Sequence, residues 1–164
     1  MKKNLTKIII ILLLIITAVF YTYRIRFLVD DELFNYGFAK NIIDGLVPYK
    51  DFNMIIPPLF AYVTAFFLMI FGEKLLIYHI LIAIIITIIT YISYKKINKY
   101  AIIIYLLLLI YPYTGYNMFA LLLFFILLNL KEENKKNYYL EPIIISLIIL
   151  TKHTLGLLLI PSII

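Results

Sequence analysis

The run from Leu75 to Tyr94 constrains the fold of this chain more than any other feature, because its 20 residues carry no ionisable group besides tyrosine and His79. About 20 apolar residues are enough for a helix to cross the hydrocarbon core of a bilayer. Shorter apolar runs fill most of the remaining sequence, and hydrophobic residues make up 65% of its 164 positions. A chain of this size cannot bury so much apolar surface in one soluble core. We therefore expect an all-α, polytopic membrane helical bundle.

Charged segments separate the apolar runs and predict a topology. Lysines concentrate at the N-terminus, just after Tyr94 and in the connection KEENKKN, and lysine-rich connections stay in the cytoplasm. The sequence thus predicts a multi-pass protein of the plasma membrane with a cytoplasmic N-terminus and about five crossings. The predicted crossings are residues 8–23, 75–94, 100–113, 116–130 and 140–164, the last with a broken continuation, and residues 24–74 form an outer loop with interfacial helices.

Two features of this topology allow more than one interpretation, and the end of the sequence adds a further expectation. The first apolar run could be a cleaved signal peptide, but no small-x-small pattern follows it, which favours an uncleaved helix. Residues 100–130 could form one long buried helix, whereas Pro112 and Gly115 favour a turn between two. Because the sequence closes on Ile163-Ile164 without a hydrophilic tail, we expect a truncated N-terminal part of a longer protein.

Residues 30–58 of the outer loop are expected to be helical at first and then turn back toward the membrane. Apolar residues at helical spacing predict a short interfacial helix, which Gly45 ends and Pro48 prevents from continuing. A second helix is predicted over Leu59–Phe71, directly after Pro57-Pro58, and it is short for a full crossing. The predicted apolar face of the first helix comprises Phe34, Phe38, Ala39, Ile42 and Ile43.

Asp30, Asp31 and Glu32 are consecutive acids that follow closely on the first apolar run. Charges so close to a bilayer are costly unless something uses them. An ionised carboxylate can act as a general base toward a hydroxyl group, and Asp31 is the first candidate for that role. Glu32 and Asp30 could orient an acceptor or hold a cation. The alternative is that the three acids only cap the interfacial helix, whose N-terminal dipole favours negative charge.

Lys152 and His153 form a second candidate group, in the last apolar region. Lys152 stands 11 residues beyond Glu141, which predicts a position near the middle of a crossing. A lysine at that depth costs about 2.5 to 3.5 kcal/mol unless it faces a polar cavity or an anion such as a phosphate-bearing lipid. The alternative is that Lys152 extends to the outer interface and His153 is an ordinary polar residue. We propose no metal site from the sequence.

Several short motifs also follow one another in a particular order. The first helix is followed by Asp31-Glu32, Gly45, Pro48-Tyr49, Asp51-Phe52 and Pro57-Pro58-Leu59, and much later by the segment Lys152 to Gly156. This order resembles the N-terminal part of the GT-C glycosyltransferases, in the bacterial branch similar to protein O-mannosyltransferases and lipid-A aminoarabinose transferases. The resemblance covers nearly all of these residues and about the first third of such an enzyme.

The resemblance implies inverting transfer of a sugar from a polyprenyl-phosphate donor to a cell-envelope glycan, lipid or protein on the outer face, with no cofactor. Asp31 would then be the base, and Glu32 a second catalytic residue. The implied substrate-binding residues are Asp30, Tyr49, Asp51, Asn117, Lys152 and His153, with the last two neutralising the phosphate. Two positions depart from the family pattern: Ile55-Ile56 stand where many relatives carry a basic residue, and Asn117 is what the second outer loop offers in place of an acid.

An alternative function is a non-catalytic membrane subunit or a transporter fragment. In that case the outer acids would recruit a cation or a partner, and Lys152 would pair with an acid on another helix. The net charge of +6 does not indicate a nucleic-acid partner, because it comes mostly from the lysines that set membrane orientation.

Overall fold

The chain is all-helical in the part that the computed structural model describes, which confirms the all-α part of the predicted fold. The described residues are 8, 9, 12, 13, 15–17, 19, 20, 30–110, 115–133 and 139–162, without the side chains of Asp30, Asp31, Ser162 and residues 131–133. The helices are α1 (Asp30–Ile43), α2 (Leu59–Phe71), α3 (Leu75–Ile97), α4 (Ala101–Ile110), α5 (Gly115–Glu133), α6 (Leu140–Ile149) and α7 (His153–Leu159), and short 3₁₀ turns cover Asn98–Tyr100 and Ile160–Ser162. The described residues of the predicted first crossing, 8–23, are also helical, while residues 21–23 lie outside the described part.

The ends of α1 and α2 follow from local sequence signals. At the end of α1 the Gly45 N–H donates to the Ile42 carbonyl and the Leu46 N–H to the Asn41 carbonyl, each at 3.0 Å, which is the Schellman pattern. Gly45 has a φ of 86°, a conformation that glycine adopts without steric cost. α2 starts directly after Pro57-Pro58 and has the predicted bounds.

α3 is the central helix, and its apolar residues are buried on several sides. Its buried side chains pack against α2, α4 and α5 in one core that includes Tyr78, Ile82, Ile86 and Ile89. A helix that is apolar all round needs this kind of enclosure. Three buried hydroxyls of α3, those of Thr87, Thr90 and Ser93, bond back to their own helix, as where Thr90 donates to the Ile86 carbonyl at 2.9 Å. The core therefore contains polar side chains without leaving these hydroxyls unsatisfied.

The 3₁₀ turn after α3 reverses the chain. Asn98 has a φ of 51°, and α4 packs back against α3. At this end, which we call the basic end, Lys95, Lys96 and Lys99 lie together, and Lys96 Nζ donates to the Leu128 carbonyl of α5 at 3.4 Å. The last turns of α3 and α5 are thus neighbours, so the two helices run in the same direction.

The opposite end of the bundle, the loop end, gathers α1, the connection 44–58, the start of α5 and the break between α6 and α7. Tyr36 donates to the Glu73 carbonyl just before α3, at 2.9 Å. Gly115, at the start of α5, sits so close to Phe60 and Tyr78 that an added Cβ would lie 2.7 Å from the Phe60 ring. The Leu59 N–H donates to the Leu150 carbonyl at 3.1 Å, which brings the start of α2 to the end of α6.

One helical run in the described part, Leu75–Ile110, is long and apolar enough to cross a membrane, and it comprises α3 and α4 on either side of the turn. Three other apolar helices, Leu59–Phe71, Gly115–Leu130 and Leu140–Ile149, are shorter. Residues 111–114 of the predicted turn at 111–117, and residues 134–137 of the predicted connection at 131–137, lie outside the described part, whereas residues 115–117 and 131–133 belong to α5. α6 packs against α5 in a second apolar cluster built around Leu127 and Ile148.

Candidate functional site

The predicted base lies in the first turn of α1, where Asp30, Asp31 and Glu32 are the first three helical residues. The side chains of Asp30 and Asp31 are outside the described part of the structure. Glu32 is half-buried, and one of its carboxylate oxygens is shielded from solvent. Acids in the first turn also suit the capping alternative, so the helix position alone does not separate the two roles.

A cavity of about 410 Å³ opens beside α1 at the loop end. Three aromatic rings and two amide side chains contribute to its wall, which is lined by Phe34, Asn35, Phe38, Asn53, Ile55, Ile56 and Tyr116. Phe34, Asn35 and Phe38 follow Asp31 at i+3, i+4 and i+7, the spacing of one helical face. The α1 backbone therefore places Asp31 in register with the cavity wall, one turn before Phe34 and Asn35.

Lys152 and Asn117 form a direct contact between two distant parts of the chain. Lys152 Nζ donates to Asn117 Oδ1 at 2.7 Å, and the pair is partly buried. Asn117 lies in the first turn of α5, next to the cavity residue Tyr116. Two of the substrate-binding residues named from the sequence thus meet at the loop end, although neither of them lines the cavity beside α1.

The surroundings of Lys152 follow from the end of α6. Lys152 lies level with the first turn of α5, because α6 ends at Ile149 and the chain then leaves the helical path, and its depth near the middle of a crossing stays a prediction. Lys152 is extended, with φ −149° and ψ 93°, and precedes α7. Its neighbour His153 is exposed and makes no hydrogen bond with the described residues. The structure therefore brings Lys152, and not His153, to Asn117.

Tyr49 and Asp51 stabilise the connection between α1 and α2. Asp51 Oδ2 accepts a hydrogen bond from the Val47 N–H at 2.8 Å, and the Tyr49 hydroxyl donates to the Ile56 carbonyl at 2.7 Å. Tyr49 has a φ of 65°, an uncommon conformation for a residue with a side chain. Partial burial raises the pKa of Tyr49 above its ordinary value of 10.0. These contacts hold the connection in place and fix the part of the cavity wall that includes Ile56.

An ion pair holds α1 against the start of α3. Lys40 Nζ donates to Glu73 Oε2 and also lies 4.0 Å from Asp44 Oδ1. The hydrogen bond to Glu73 raises the pKa of Lys40 above its ordinary value of 10.5. Both partners are well exposed, so the pair orients α1 more than it stabilises the fold.

The residues of α1 differ in burial along its predicted apolar face. Phe34 is 62% exposed, whereas Asn35 is only 3% exposed. Phe34 and Phe38 border the cavity, so they do not lie in the interior of the bundle. The helix is rotated so that Asn35 and Ala39 are its most buried residues.

Sequence reasoning did not select Asn35, Asn53 and Tyr116 as site residues, although they line the cavity. Two of them carried a signal: Asn35 follows Asp31 at i+4, and Tyr116 directly precedes Asn117. Among the residues that the structure describes, no three His, Cys, Asp or Glu side chains are grouped to hold a metal ion. His79 on α3 is buried.

Comparisons of the chain with protein-family models, with curated proteins and with solved structures find no match.

Proposed function

We propose that this chain belongs to a membrane glycosyltransferase that transfers a sugar from a polyprenyl-phosphate donor to a cell-envelope acceptor on the outer face. The acceptor class is a glycan, a lipid or a protein with a free hydroxyl. The proposal rests on the ordered motifs that resemble the GT-C glycosyltransferases and on the arrangement of groups at the loop end. It includes a plasma-membrane location with about five crossings and a cytoplasmic N-terminus.

The reaction would proceed by direct displacement. The Asp31 carboxylate takes the proton of the acceptor hydroxyl, and the acceptor oxygen forms a bond to the anomeric carbon. The bond between that carbon and the phosphate oxygen breaks on the opposite side, which inverts the anomeric centre. The electron pair leaves with the polyprenyl phosphate, and the Lys152 ammonium stabilises the growing negative charge.

One observation carries the proposal: Asp31 lies on the same helical face of α1 as the cavity residues Phe34, Asn35 and Phe38, and the loop end also holds the contact between Lys152 and Asn117, next in sequence to the cavity residue Tyr116. A base and a cation at the same end of the bundle are compatible with displacement at a phosphate-linked sugar. The aromatic rings and amides of the wall suit a sugar, because rings pack against its apolar face and amides bond its hydroxyls.

The exposed surface supports the membrane placement. α4 exposes Ile103 by 55%, Leu107 by 57% and Ile110 by 70%, and α2 exposes Phe66 by 65% and Met69 by 64%. Soluble monomers rarely expose contiguous apolar surface on this scale. Lipid would cover these faces, and the loop end and the basic end would lie on opposite sides of the bilayer.

The test is Asp31→Asn in the protein as the cell makes it, reconstituted in proteoliposomes with a polyprenyl-phosphate sugar donor and a cell-envelope acceptor. We expect sugar transfer to fall by about 10²-fold or more, since the base is lost, while membrane insertion and donor binding persist. Asp44→Asn is the matched control, because Asp44 lies just beyond the other end of α1 and is exposed. Full transfer by Asp31→Asn would overturn the mechanism and favour a non-catalytic role.

A further inference from the structure

A second cavity, of about 250 Å³, lies at the basic end and belongs to no part of the proposed catalytic site. It is a cleft between the N-terminal helical segment, α3 and α4. Ile9 and Leu13 line one side, Ile102 lines another, and Tyr94, Asn98 and Lys99 stand where α3 turns into α4.

The walls of the cleft are apolar although they include two threonines. Thr87 Oγ1 donates to the Ala83 carbonyl at 2.7 Å, and Thr90 Oγ1 donates to the Ile86 carbonyl at 2.9 Å. Both hydroxyl protons are therefore engaged within α3. The interior of the cleft suits a hydrocarbon chain better than a polar ligand.

The mouth of the cleft is positively charged. Lys99 lines it directly, and Lys95 and Lys96 occupy the last turn of α3 beside it. The whole run from Leu75 to Ile110 contains no acidic residue, and the connection KEENKKN adds three lysines against two glutamates on the same predicted side. An anion at this mouth would thus meet an excess of positive charge.

An apolar cleft with a cationic mouth matches an amphiphile that has an apolar chain and an anionic headgroup. We infer that the cleft binds an anionic glycerophospholipid of the cytoplasmic leaflet, with one acyl chain between Leu13 and Ile102 and the headgroup phosphate at Lys99 and Asn98. Basic pockets between membrane helices on the cytoplasmic side bind anionic headgroups for this reason. The inference depends on the membrane placement proposed above, but not on sugar transfer. The bound lipid would join the N-terminal helical segment to the α3–α4 hairpin.

The test measures the thermal unfolding of the detergent-purified full chain while phosphatidylglycerol or phosphatidylcholine is added. We expect phosphatidylglycerol to raise the Tm and phosphatidylcholine to leave it nearly unchanged. Lys99→Gln should weaken the apparent affinity for phosphatidylglycerol by about fivefold, because one lysine near a lipid phosphate contributes that much. Lys50→Gln, an exposed lysine at the loop end, is the matched control and should leave the affinity unchanged.

A second variant separates the cleft from general surface attraction. Ile102→Phe keeps every charge but fills part of the cleft, and we expect it to reduce the affinity for phosphatidylglycerol. Equal Tm shifts with phosphatidylcholine, unchanged affinity in Lys99→Gln, or unchanged affinity in Ile102→Phe would each overturn the inference. Displacement of phosphatidylglycerol by an equimolar polyprenyl phosphate would also overturn it, because the occupant would then be the donor lipid.

The two proposals fail separately. Asp31→Asn should retain the phosphatidylglycerol shift in full, since Asp31 lies at the loop end. Lys99→Gln acts at the other end of the bundle. A protein that transfers sugar but shows no lipid selectivity would overturn only this inference, and the reverse outcome would overturn only the transferase.

Discussion

Lys152 is held by an amide oxygen and not by a carboxylate, so its positive charge is oriented without being neutralised. No carboxylate among the described residues lies within 4.0 Å of its ammonium group. A non-catalytic role had predicted an acid as its partner on another helix. An ammonium group that an amide oxygen holds can still stabilise an anion such as a leaving phosphate.

His79 presents the opposite situation, because it is buried and its polar atoms are unsatisfied. It is 3% exposed, and neither ring nitrogen has a hydrogen-bond partner among the described residues. A buried polar group without a partner costs about 1 to 3 kcal/mol. We predict that His79→Leu stabilises the protein by about 1 kcal/mol, measured as a shift of the thermal unfolding midpoint in detergent.

The control for His79 is a buried polar residue with a partner. Thr90 is 6% exposed and bonds to the Ile86 carbonyl, so Thr90→Val should bring no comparable gain. A clear loss of stability in His79→Leu would show that the imidazole is satisfied in the protein. His79 would then not be an unsatisfied buried group.

Hydropathy does not determine which way a single residue of α1 faces, as Phe34 and Asn35 show. Lipid is as apolar as a protein core, so an apolar side chain on a membrane helix can face either one. Phe34 belongs to the predicted apolar face and is largely exposed beside a cavity, whereas Asn35 is buried. The contact between Lys152 and Asn117 joins residues 35 positions apart, which no local periodicity could predict.

At the scale of the elements, glycine and proline were sufficient to predict a helix end wherever backbone conformation determines that end. Gly45 and Pro48 predicted the end of α1, and Pro57-Pro58 predicted the start of α2, because glycine and proline restrict or permit particular backbone angles. The contact of Lys152 with Asn117 could not be predicted, for the complementary reason. Its position depends on where α6 stops against α2 and α5, which is a property of packing.

The corner between α6 and α7 depends on a glycine that closely approaches a backbone segment. A Cβ added to Gly156 would meet the side chain of Ile149 and lie 2.7 Å from its backbone nitrogen. Backbone atoms cannot move aside as a flexible side chain can. We predict that Gly156→Ala destabilises the protein by about 1 to 3 kcal/mol, measured by denaturant or thermal unfolding in detergent.

Gly37 supplies the matched control for Gly156 within α1. An added Cβ there meets nothing within 4 Å, and the residue is helical. Gly37→Ala should therefore stabilise the protein by about 0.5 to 1 kcal/mol, because alanine loses less conformational freedom in a helix. Equal effects of the two substitutions would refute the close-approach argument for the corner.

At the scale of the whole molecule, charge and apolarity are arranged along one axis. The acids of α1, the cavity and Lys152 gather at the loop end, and lysines gather at the basic end. α3 joins the two, and its 23 residues span about 34 Å, slightly more than the hydrocarbon thickness of a bilayer. α4 packs along α3 between these ends and exposes an apolar face. The proposed catalytic and lipid sites would then open to different leaflets.

The separation of the loop end from the basic end predicts which lysine positions a reagent outside the cell can reach. The chain has no cysteine, so single cysteines can be introduced without a competing thiol. Lys50 and Lys95 are both exposed, and they lie at the loop end and the basic end respectively. We predict that a membrane-impermeant maleimide labels Lys50→Cys in intact cells and labels Lys95→Cys only after permeabilisation. Labelling of both from one side would place the two ends in the same compartment. The cavity and the lysine cluster would then no longer face opposite leaflets, and the outward-facing transferase site would lose its support.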